Sequence, residues 1–263
     1  MTPIPILLYH RVGDDKSALT TSPQDFESHL QWLSNQGASF LSCAELESVL
    51  GGQSRRSGKQ VLITFDDGYR ELYEIALPLL QRYGAKAVAF VITGRMRCLS
   101  ALAADAGEFD GHLSLPEVRA IQESGVLEVH SHTHGHEDWS SRTPRSGDKF
   151  DLLREDLVQS REFLSDSLRL PRTHFRHLAW PWGYSNPLLI DVAKSVGFSY
   201  QYLVQFAAAN RIGVTDRLPR ICCDGMPIDA FRRRVGILMN GKMAGFVNFM
   251  TSAHRRVRGR FSY

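Results

Sequence analysis

The stretch Val61-Leu62-Ile63-Thr64-Phe65-Asp66-Asp67-Gly68-Tyr69 is an apolar run that stops at two adjacent carboxylates and a glycine. Its apolar part is typical of a strand that is buried on both faces of a parallel sheet. Two neighbouring acids repel each other unless a cation offsets their charge, and a metal ion would do so. A solvated Asp-Asp-Gly turn is the alternative interpretation, since such turns are common after strands. The choice depends on whether the rest of the chain supplies further metal ligands.

Apolar strands and amphipathic helices alternate along the whole chain of 263 residues, which is long enough for one α/β barrel or two smaller domains. Helices are predicted from capping residues and apolar periodicity, and the last of them is Pro227 to Met239. The further predicted strands are Ile4 to Tyr9, Lys86 to Thr93, Val126 to Val129, Phe175 to Trp180, Ser199 to Val204 and Leu218 to Cys222. Because no linker interrupts this alternation, we expect a single α/β domain over residues 1–263 with mostly parallel strands.

The composition is that of an ordinary globular protein, with 43% hydrophobic and 22% charged residues. A net charge of +3 is too mild to indicate nucleic acid as a partner. The four cysteines (Cys43, Cys98, Cys222 and Cys223) show no paired spacing and are expected to be free thiols. No basic leader and no run of about 20 apolar residues is seen, so the sequence predicts a cytoplasmic protein without a membrane span.

Basic residues are concentrated near the C-terminus, in a tail that starts at about residue 254 and contains Arg255, Arg256, Arg258 and Arg260. A solvated tail is the ordinary interpretation of such a charge run. Peripheral contact with a membrane or with lipid phosphate is the alternative.

A histidine-rich segment, Glu128-Val129-His130-Ser131-His132-Thr133-His134-Gly135-His136, directly follows a predicted strand. His132 and His136 are four residues apart, as are His130 and His134, so either pair can reach one ion where the backbone turns. A surface tract with adventitious metal affinity is the alternative. Two imidazoles and the Asp67 carboxylate would leave positions open for water and substrate, which is typical of a catalytic rather than a structural zinc site.

Three motifs in this order resemble those of the polysaccharide deacetylases, the carbohydrate esterase group that shares the NodB homology domain. They are Thr64-Phe65-Asp66-Asp67-Gly68-Tyr69, Ser131-His132-Thr133-His134-Gly135-His136 and Ala179-Trp180-Pro181-Trp182-Gly183. The resemblance covers nearly the whole chain and implies a distorted (β/α)7-type barrel. It also implies a hydrolase that removes N-acetyl groups from an N-acetylated amino sugar in a polysaccharide, oligosaccharide or glycan precursor.

The resemblance further implies a role for each motif residue. Asp67, His132 and His136 would bind a divalent metal, usually Zn²⁺, with Co²⁺ and Ni²⁺ as alternatives. Asp66 would act as general base on water that the metal activates. The backbone N–H of Trp182 would stabilise the oxyanion, and Pro181 and Tyr69 would complete the substrate side of the site.

The general acid is predicted from the first strand. Leu7-Leu8-Tyr9-His10-Arg11-Val12 resembles the permuted branch of the family, in which a histidine at this position protonates the leaving amine. His10 is therefore expected to be the acid, with a histidine bonded to a neighbouring loop as the alternative.

The chain departs from the family pattern at two points. Ala179 stands where many members have an arginine that orients the base, and Arg220 is predicted to replace it. His130 and His134 are additional histidines that could form the metal-binding pair, but the Ser-His-Thr-x-x-His frame favours His132 and His136. Two other functions stay open: hydrolysis of a cyclic amide or ureide, and non-catalytic saccharide binding.

Overall fold

Seven parallel strands close into a barrel in the computed structural model. The structure describes residues 2–54, 58–96, 111–139, 148–209 and 211–258, with backbone only at 148 and 252–258. In chain order, the strands are β1 Ile6–Tyr9, β2 Arg11–Val12, β3 Thr20–Thr21, β4 Ser39–Phe40, β5 Gln60–Phe65, β6 Ala87–Val91, β7 Leu127–Ser131, β8 His177–Ala179, β9 Tyr200–Val204 and β10 Leu218–Cys222. Strands β5 to β10 pair in order, and β1 closes the ring between β5 and β10. The predicted (β/α)7-type barrel is confirmed.

The register around β1 positions the site. Tyr9 pairs with Phe65 of β5, and Leu8 pairs with Cys222 of β10. The carboxyl ends of these three strands therefore lie side by side, so residues that follow them meet at one rim of the barrel.

Eight α-helices connect and flank the strands in the described part of the chain. They are α1 Pro23–Asn35, α2 Cys43–Leu50, α3 Leu77–Arg82, α4 Leu115–Glu123, α5 Asp148–Leu168, α6 Pro187–Val196, α7 Ile228–Met239 and α8 Gly241–Arg258. Ser42 and Ser114 each form a capping box with the glutamate three residues later. A π-helical segment, Leu72–Ala76, comes directly before α3, because Pro78 has no N–H to continue a regular α-helix.

Helix α8 corrects the expectation that α7 is the last helix. The side chain of Asn240 accepts hydrogen bonds from the backbone N–H groups of Lys242 and Met243, and this cap begins a new helix. The helix carries the chain to Arg258, into the predicted basic tail. The side chains of Arg255, Arg256 and Arg258, and all of Arg260, lie outside the described part of the structure.

Two apolar layers hold the barrel together. The outer layer lies between the strands and the surrounding helices, and the inner layer fills the barrel with residues such as Ile6, Leu62, Val88 and Tyr202. Helix α2 packs its apolar face against this inner layer and closes the amino end of the barrel. Each buried aliphatic or aromatic side chain contributes about 1.5–3 kcal/mol to folding. The carboxyl end is left to the polar residues of the site.

None of the described helices is both long and apolar enough to cross a membrane. The cytoplasmic location stays a prediction. Cys43, Cys222 and Cys223 are free thiols, as expected. Cys98 lies outside the described residues.

Candidate active site and metal centre

Strand β5 ends at Phe65, and the backbone then changes hand between the two acids. Asp67 has a positive φ of 68°, which L-residues other than asparagine and aspartate rarely adopt. Gly68 follows with φ 76°, and a Cβ there would lie 2.9 Å from Cγ1 of Val91. This turn lets Asp66 and Asp67 contact different partners although they are adjacent in sequence.

Asp67 lies with His132 and His136, the predicted metal ligands. Its Oδ1 is 3.4 Å from Nε2 of His132 and 3.5 Å from Nε2 of His136. Ligand atoms in a tetrahedral zinc site are about 3.4 Å apart when each is about 2.1 Å from the ion. The buried Oδ1 has no hydrogen-bond partner among the described residues. The donor set, its spacing and this unsatisfied oxygen all fit a divalent metal ion.

The two imidazoles are held for metal binding, His132 by a hydrogen bond that orients its ring and His136 by a surrounding that keeps its ring neutral, as a metal ligand must be. Nδ1 of His132 donates to the carbonyl of Ala179 at 2.8 Å, which leaves Nε2 directed at Asp67. Burial, together with the neighbouring His132, lowers the pKa of His136 to about 4, so this ring is neutral at pH 7.

The loop after β7 is held by a carboxylate from α5. Asp156 accepts hydrogen bonds from the backbone N–H groups of His134 (2.9 Å) and Gly135 (2.7 Å). Within the loop, the N–H of His136 donates to Oγ1 of Thr133. Sequence reasoning missed Asp156, because a single acid in a polar helix 20 residues after the loop carries no motif.

The two additional histidines do not lie with Asp67. His134 is bonded through Nδ1 to Oγ1 of Thr93 at 2.9 Å. His130 lies two residues before His132, near His174 and His177. Of the two pairings that the sequence left open, the structure brings His132 and His136 to Asp67.

Arg220 faces Asp66 inside the barrel. Its guanidinium donates to both carboxylate oxygens, at 2.6 Å and 2.7 Å, and is itself fully buried. Burial alone would raise the pKa of Asp66, but the charge and hydrogen bond of Arg220, together with His132 and His10, outweigh it and hold the pKa below its ordinary value. Asp66 is therefore an ionised carboxylate whose Oδ2 lies 3.7 Å from Nε2 of His132.

His10 also stands at this rim, paired with an acid that the sequence did not indicate. Asp224 accepts from the backbone N–H of His10 (2.9 Å) and from its Nδ1–H (2.6 Å). Although burial lowers the pKa of His10, its hydrogen bond to Asp224 and the nearby carboxylates raise it above the ordinary value. Asp224 was missed because it is 214 residues away and becomes a neighbour only through the β1–β10 pairing.

The third motif forms the turn Pro181–Gly183 at the edge of the site. Trp182 is 64% exposed, and its ring centroid lies 5.5 Å from that of His136. The turn is closed by the N–H groups of Gly183 and Tyr184, while the N–H of Trp182 has no acceptor among the described residues. Buried Pro181 begins the turn.

Tyr69 directly follows Gly68 in the turn after β5. Its ring stacks on His112 with centroids 4.9 Å apart, and the guanidinium of Arg11 lies 5.0 Å from the ring centroid. Burial and the charge of Asp67 raise the pKa of Tyr69, so its hydroxyl stays protonated and can donate a hydrogen bond.

Backbone strain is concentrated at this rim. Asp67, Thr133, His136 and Trp182 have positive φ, and the described residues contain one further non-glycine case, Arg169. Such conformations cost about 1–3 kcal/mol each and persist where the surroundings enforce them, commonly at functional sites.

The fold and the site together define an α/β barrel in which three residues that could hold a metal ion lie beside a second, arginine-paired carboxylate. The family model described as polysaccharide deacetylase matches residues 53–201 of the chain. The chain therefore belongs to the polysaccharide deacetylase family and is a carbohydrate N-deacetylase.

Individual relatives agree with this assignment. YxkH of Bacillus subtilis is 28% identical over 215 residues, which cover 79% of this chain and 67% of YxkH. Poly-beta-1,6-N-acetyl-D-glucosamine N-deacetylase of Staphylococcus aureus is 26% identical over 208 residues, covering 77% of this chain and 67% of that protein. The structure of IcaB from Ammonifex degensii superposes with a TM-score of 0.75 at 26% identity, covering 91% of this chain and 97% of IcaB.

Proposed function

We propose that this protein is a metal-dependent N-deacetylase of N-acetylated amino sugars in a polysaccharide, oligosaccharide or glycan precursor. The observation that carries the proposal is the split of two adjacent carboxylates. Asp67 faces two imidazoles with an unsatisfied oxygen, and Asp66 faces Arg220. One acid is free to bind a cation while the other stays ionised beside it.

Asp67, His132 and His136 would hold the metal. When bound, a divalent ion such as Zn²⁺, or Co²⁺ or Ni²⁺, supplies a Lewis acid that acidifies water and polarises the acetyl carbonyl. Asp66 then accepts the proton of the attacking water as general base. Arg220 keeps Asp66 in one orientation, because a bidentate guanidinium–carboxylate pair fixes the plane of the carboxylate.

The other residues of the rim serve the oxyanion and the leaving amine. The N–H of Trp182 would donate to the oxyanion, and the exposed Trp182 ring would offer a face for a sugar ring. Asp224 stabilises the protonated form of His10, and His10 donates its proton to the leaving amine. Tyr69 donates a hydrogen bond on the substrate side.

The substrate class is proposed from the names of the relatives. The relative from Staphylococcus aureus is named for poly-beta-1,6-N-acetyl-D-glucosamine, which makes N-acetylglucosamine oligomers the first substrates to test. A cyclic amide or ureide is the second candidate, because the same trio and base would hydrolyse that bond.

The test is acetate release by the metal-replete protein from N-acetylglucosamine oligomers, nucleotide-linked N-acetylglucosamine and lipid-linked N-acetylglucosamine, with cyclic imides assayed for ring opening. We expect release from at least one amino sugar, loss on chelation and recovery with Zn²⁺, Co²⁺ or Ni²⁺. Ring opening without acetate release would favour the cyclic substrate. Saccharide binding without any hydrolysis would show a non-catalytic relative.

The C-terminal helix supports peripheral contact with a surface that bears lipid phosphate. Its exposed apolar side chains are Met243, Phe246, Phe249 and Met250, and the sequence beyond them is basic. Flotation with anionic and with neutral vesicles tests this, since binding should need the anionic lipid and fall in Phe246→Ser/Phe249→Ser. Equal recovery with both vesicle types would contradict it.

A further inference from the structure

A second group of polar side chains lies at the amino end of the barrel, where α2 closes it. A cleft of about 320 Å³ opens there between α2, β7 and the start of β8. We call its polar lining the amino-end cluster: Cys43, Glu47, Glu128, His130, His174, Arg176 and His177. None of these residues belongs to the deacetylase motifs or to the site described above.

Three of these side chains already converge. One ligand atom each of Cys43, His130 and His177 lies within 4.8 Å of the other two, and all three residues are buried. Ligand atoms in a tetrahedral zinc site are about 3.4–3.8 Å apart. Side-chain rotations that move the ligand atoms by about an ångström would therefore bring the three atoms to that spacing. Thiolate and imidazole are the ligands that zinc-type cations prefer.

His130 is a buried histidine of the cluster whose ring nitrogens are not hydrogen-bonded to any described residue. The residue is 1% exposed, and neither ring nitrogen has a hydrogen-bond partner among the described residues. Buried polar groups are rarely left unpaired, because each costs about 1–3 kcal/mol. Nε2 of His130 lies 3.9 Å from Oε2 of Glu128, which is too long for a hydrogen bond. A cation about 2.0–2.2 Å from each atom would bridge that separation.

The surrounding groups match the outer contacts of a metal site. Glu47 accepts from Nε2 of His177 at 2.9 Å, and Tyr202 bonds the other nitrogen at 2.8 Å. Whichever nitrogen binds an ion, the remaining bond fixes the ring, as carboxylates do for metal-bound histidines. Glu128 accepts from the backbone N–H of Cys43 at 2.8 Å, which ties the thiol-bearing end of α2 to β7.

The formal charges also call for a dication. Glu47 and Glu128 carry two negative charges, and Arg176, paired with Glu47, carries one positive charge. A thiolate at Cys43 would add a third negative charge, and a divalent ion would then bring the cluster to neutrality. Burial raises the pKa of the Cys43 thiol, so without a cation the sulfur keeps its proton.

We propose that the amino-end cluster is a second metal site, in which a zinc-type dication binds Cys43 Sγ, His130 and His177, with Glu128 as a carboxylate ligand. Binding breaks the S–H bond of Cys43, forms the S–metal bond and releases the proton to solvent. The ion fastens α2 to β7 and β8 and so secures the closed end of the barrel. The role is structural, because the site lies at the end of the barrel opposite to the reacting groups.

Cobalt distinguishes the two sites, because the Asp67, His132 and His136 trio contains no sulfur. The full-length protein is loaded with Co²⁺, and the thiolate-to-cobalt charge-transfer band is recorded in the near ultraviolet with the bound metal per chain. We expect two ions per chain and a charge-transfer band. Asp67→Ala should lose one ion and keep the band, whereas Cys43→Ser should lose the band and one ion.

Matched serine variants control for the other thiols. Cys222→Ser and Cys223→Ser should keep the band, since neither residue belongs to the cluster. If Cys43→Ser does not fold, His130→Gln tests the same site, with loss of one ion and a weaker band as the expected result. Absence of the charge-transfer band in the loaded protein, or a band that survives Cys43→Ser, would overturn the proposal, whereas one ion per chain with the band present would mean that only the Asp67, His132 and His136 trio fails to bind metal.

Discussion

The two ends of the barrel satisfy buried polar groups in different ways. At the carboxyl end, the ligands of the candidate metal centre come from loops, and the backbone is forced into positive φ at Asp67, Thr133 and His136. At the amino end, Cys43, His130 and His177 lie on or at the start of regular elements and have ordinary φ. Arg220 neutralises the buried Asp66 at the carboxyl end, whereas both ring nitrogens of the buried His130 at the amino end lack a hydrogen-bond partner among the described residues.

This difference shows how the two ends are built. A reaction needs an acid, a base and an open coordination position at fixed distances, and regular strands cannot supply adjacent side chains to one point because they alternate faces. Strained turns solve that problem at a cost of about 1–3 kcal/mol each. A closed binding site needs only inward-facing side chains from neighbouring elements, and the interior of the barrel provides those without strain.

Asp66→Asn should have the largest effect and tests whether the two acids at the carboxyl end have separate roles. The amide cannot accept the proton of water, so we expect acetate release to fall by about 10²–10⁴-fold. Metal content should stay at the wild-type level, because Asp67 and the two histidines are unchanged. Activity and bound metal are measured on the same sample.

Asp216→Asn is the matched control, because it makes the same chemical change in a surface ion pair with Lys194. It should leave both readings unchanged. Loss of metal in Asp66→Asn would show that the two carboxylates share the ion and that their proposed division is wrong.

Arg220→Met should have the next largest effect, on stability. Removing the guanidinium leaves Asp66 buried without its counter-ion. Asp66 would then resemble His130 at the amino end, which is buried without a hydrogen-bond partner among the described residues. We expect the free energy of unfolding to fall by about 3–5 kcal/mol in denaturant titrations. The double variant Asp66→Asn/Arg220→Met should recover part of that loss, because no charge is then left unpaired. Additive losses in the double variant would argue against the pairing.

The sequence predicts the barrel because its strands are apolar runs that end at polar motifs. Asp66, Asp67, His132 and His136 can be found because they lie in the segments that follow β5 and β7, and parallel strands bring their carboxyl ends together. His10 can be placed by the same argument. Helix α8 was missed, since Gly241, Gly245 and a mixed apolar and basic pattern weaken the helix signal, and its cap at Asn240 is visible only in the structure.

Residues that act through distant pairing are not visible in the sequence. Asp156 and Asp224 are single acids without a motif, and tertiary packing alone brings them to the histidines. Cys43 looks like an isolated thiol because its partners lie 87 and 134 positions later in the chain. Contact across the barrel depends on register and on the docking of α2, which short-range patterns do not encode.

Asp156→Ala should have a smaller effect and tests whether the strained loop needs its clamp. The N–H groups of His134 and Gly135 would lose their acceptor, and His136 would be held less firmly. We expect the affinity for the catalytic metal to fall by about 10–100-fold, the usual loss when an outer contact is removed. Titration with Zn²⁺ against a chelating indicator measures this, and Asp151→Ala on the same helix is the control. An unchanged affinity would mean that the backbone strain is maintained without Asp156.

Asp224→Asn should have the smallest effect of these variants on activity at low pH. It tests whether His10 is the general acid of the site at the carboxyl end. His10 must be protonated to donate to the amine, so activity is present below its pKa and is lost as the pH rises through it. The hydrogen bond to Asp224 helps to raise that pKa, and removing the charge should lower it. The alkaline limb of kcat/KM should therefore move to lower pH, with little change at the acidic end of the profile. In His10→Ala, the limb that belongs to this group should disappear, and the double variant should match His10→Ala alone. A limb that stays in place in Asp224→Asn would show that another group sets it and that His10 is not the acid.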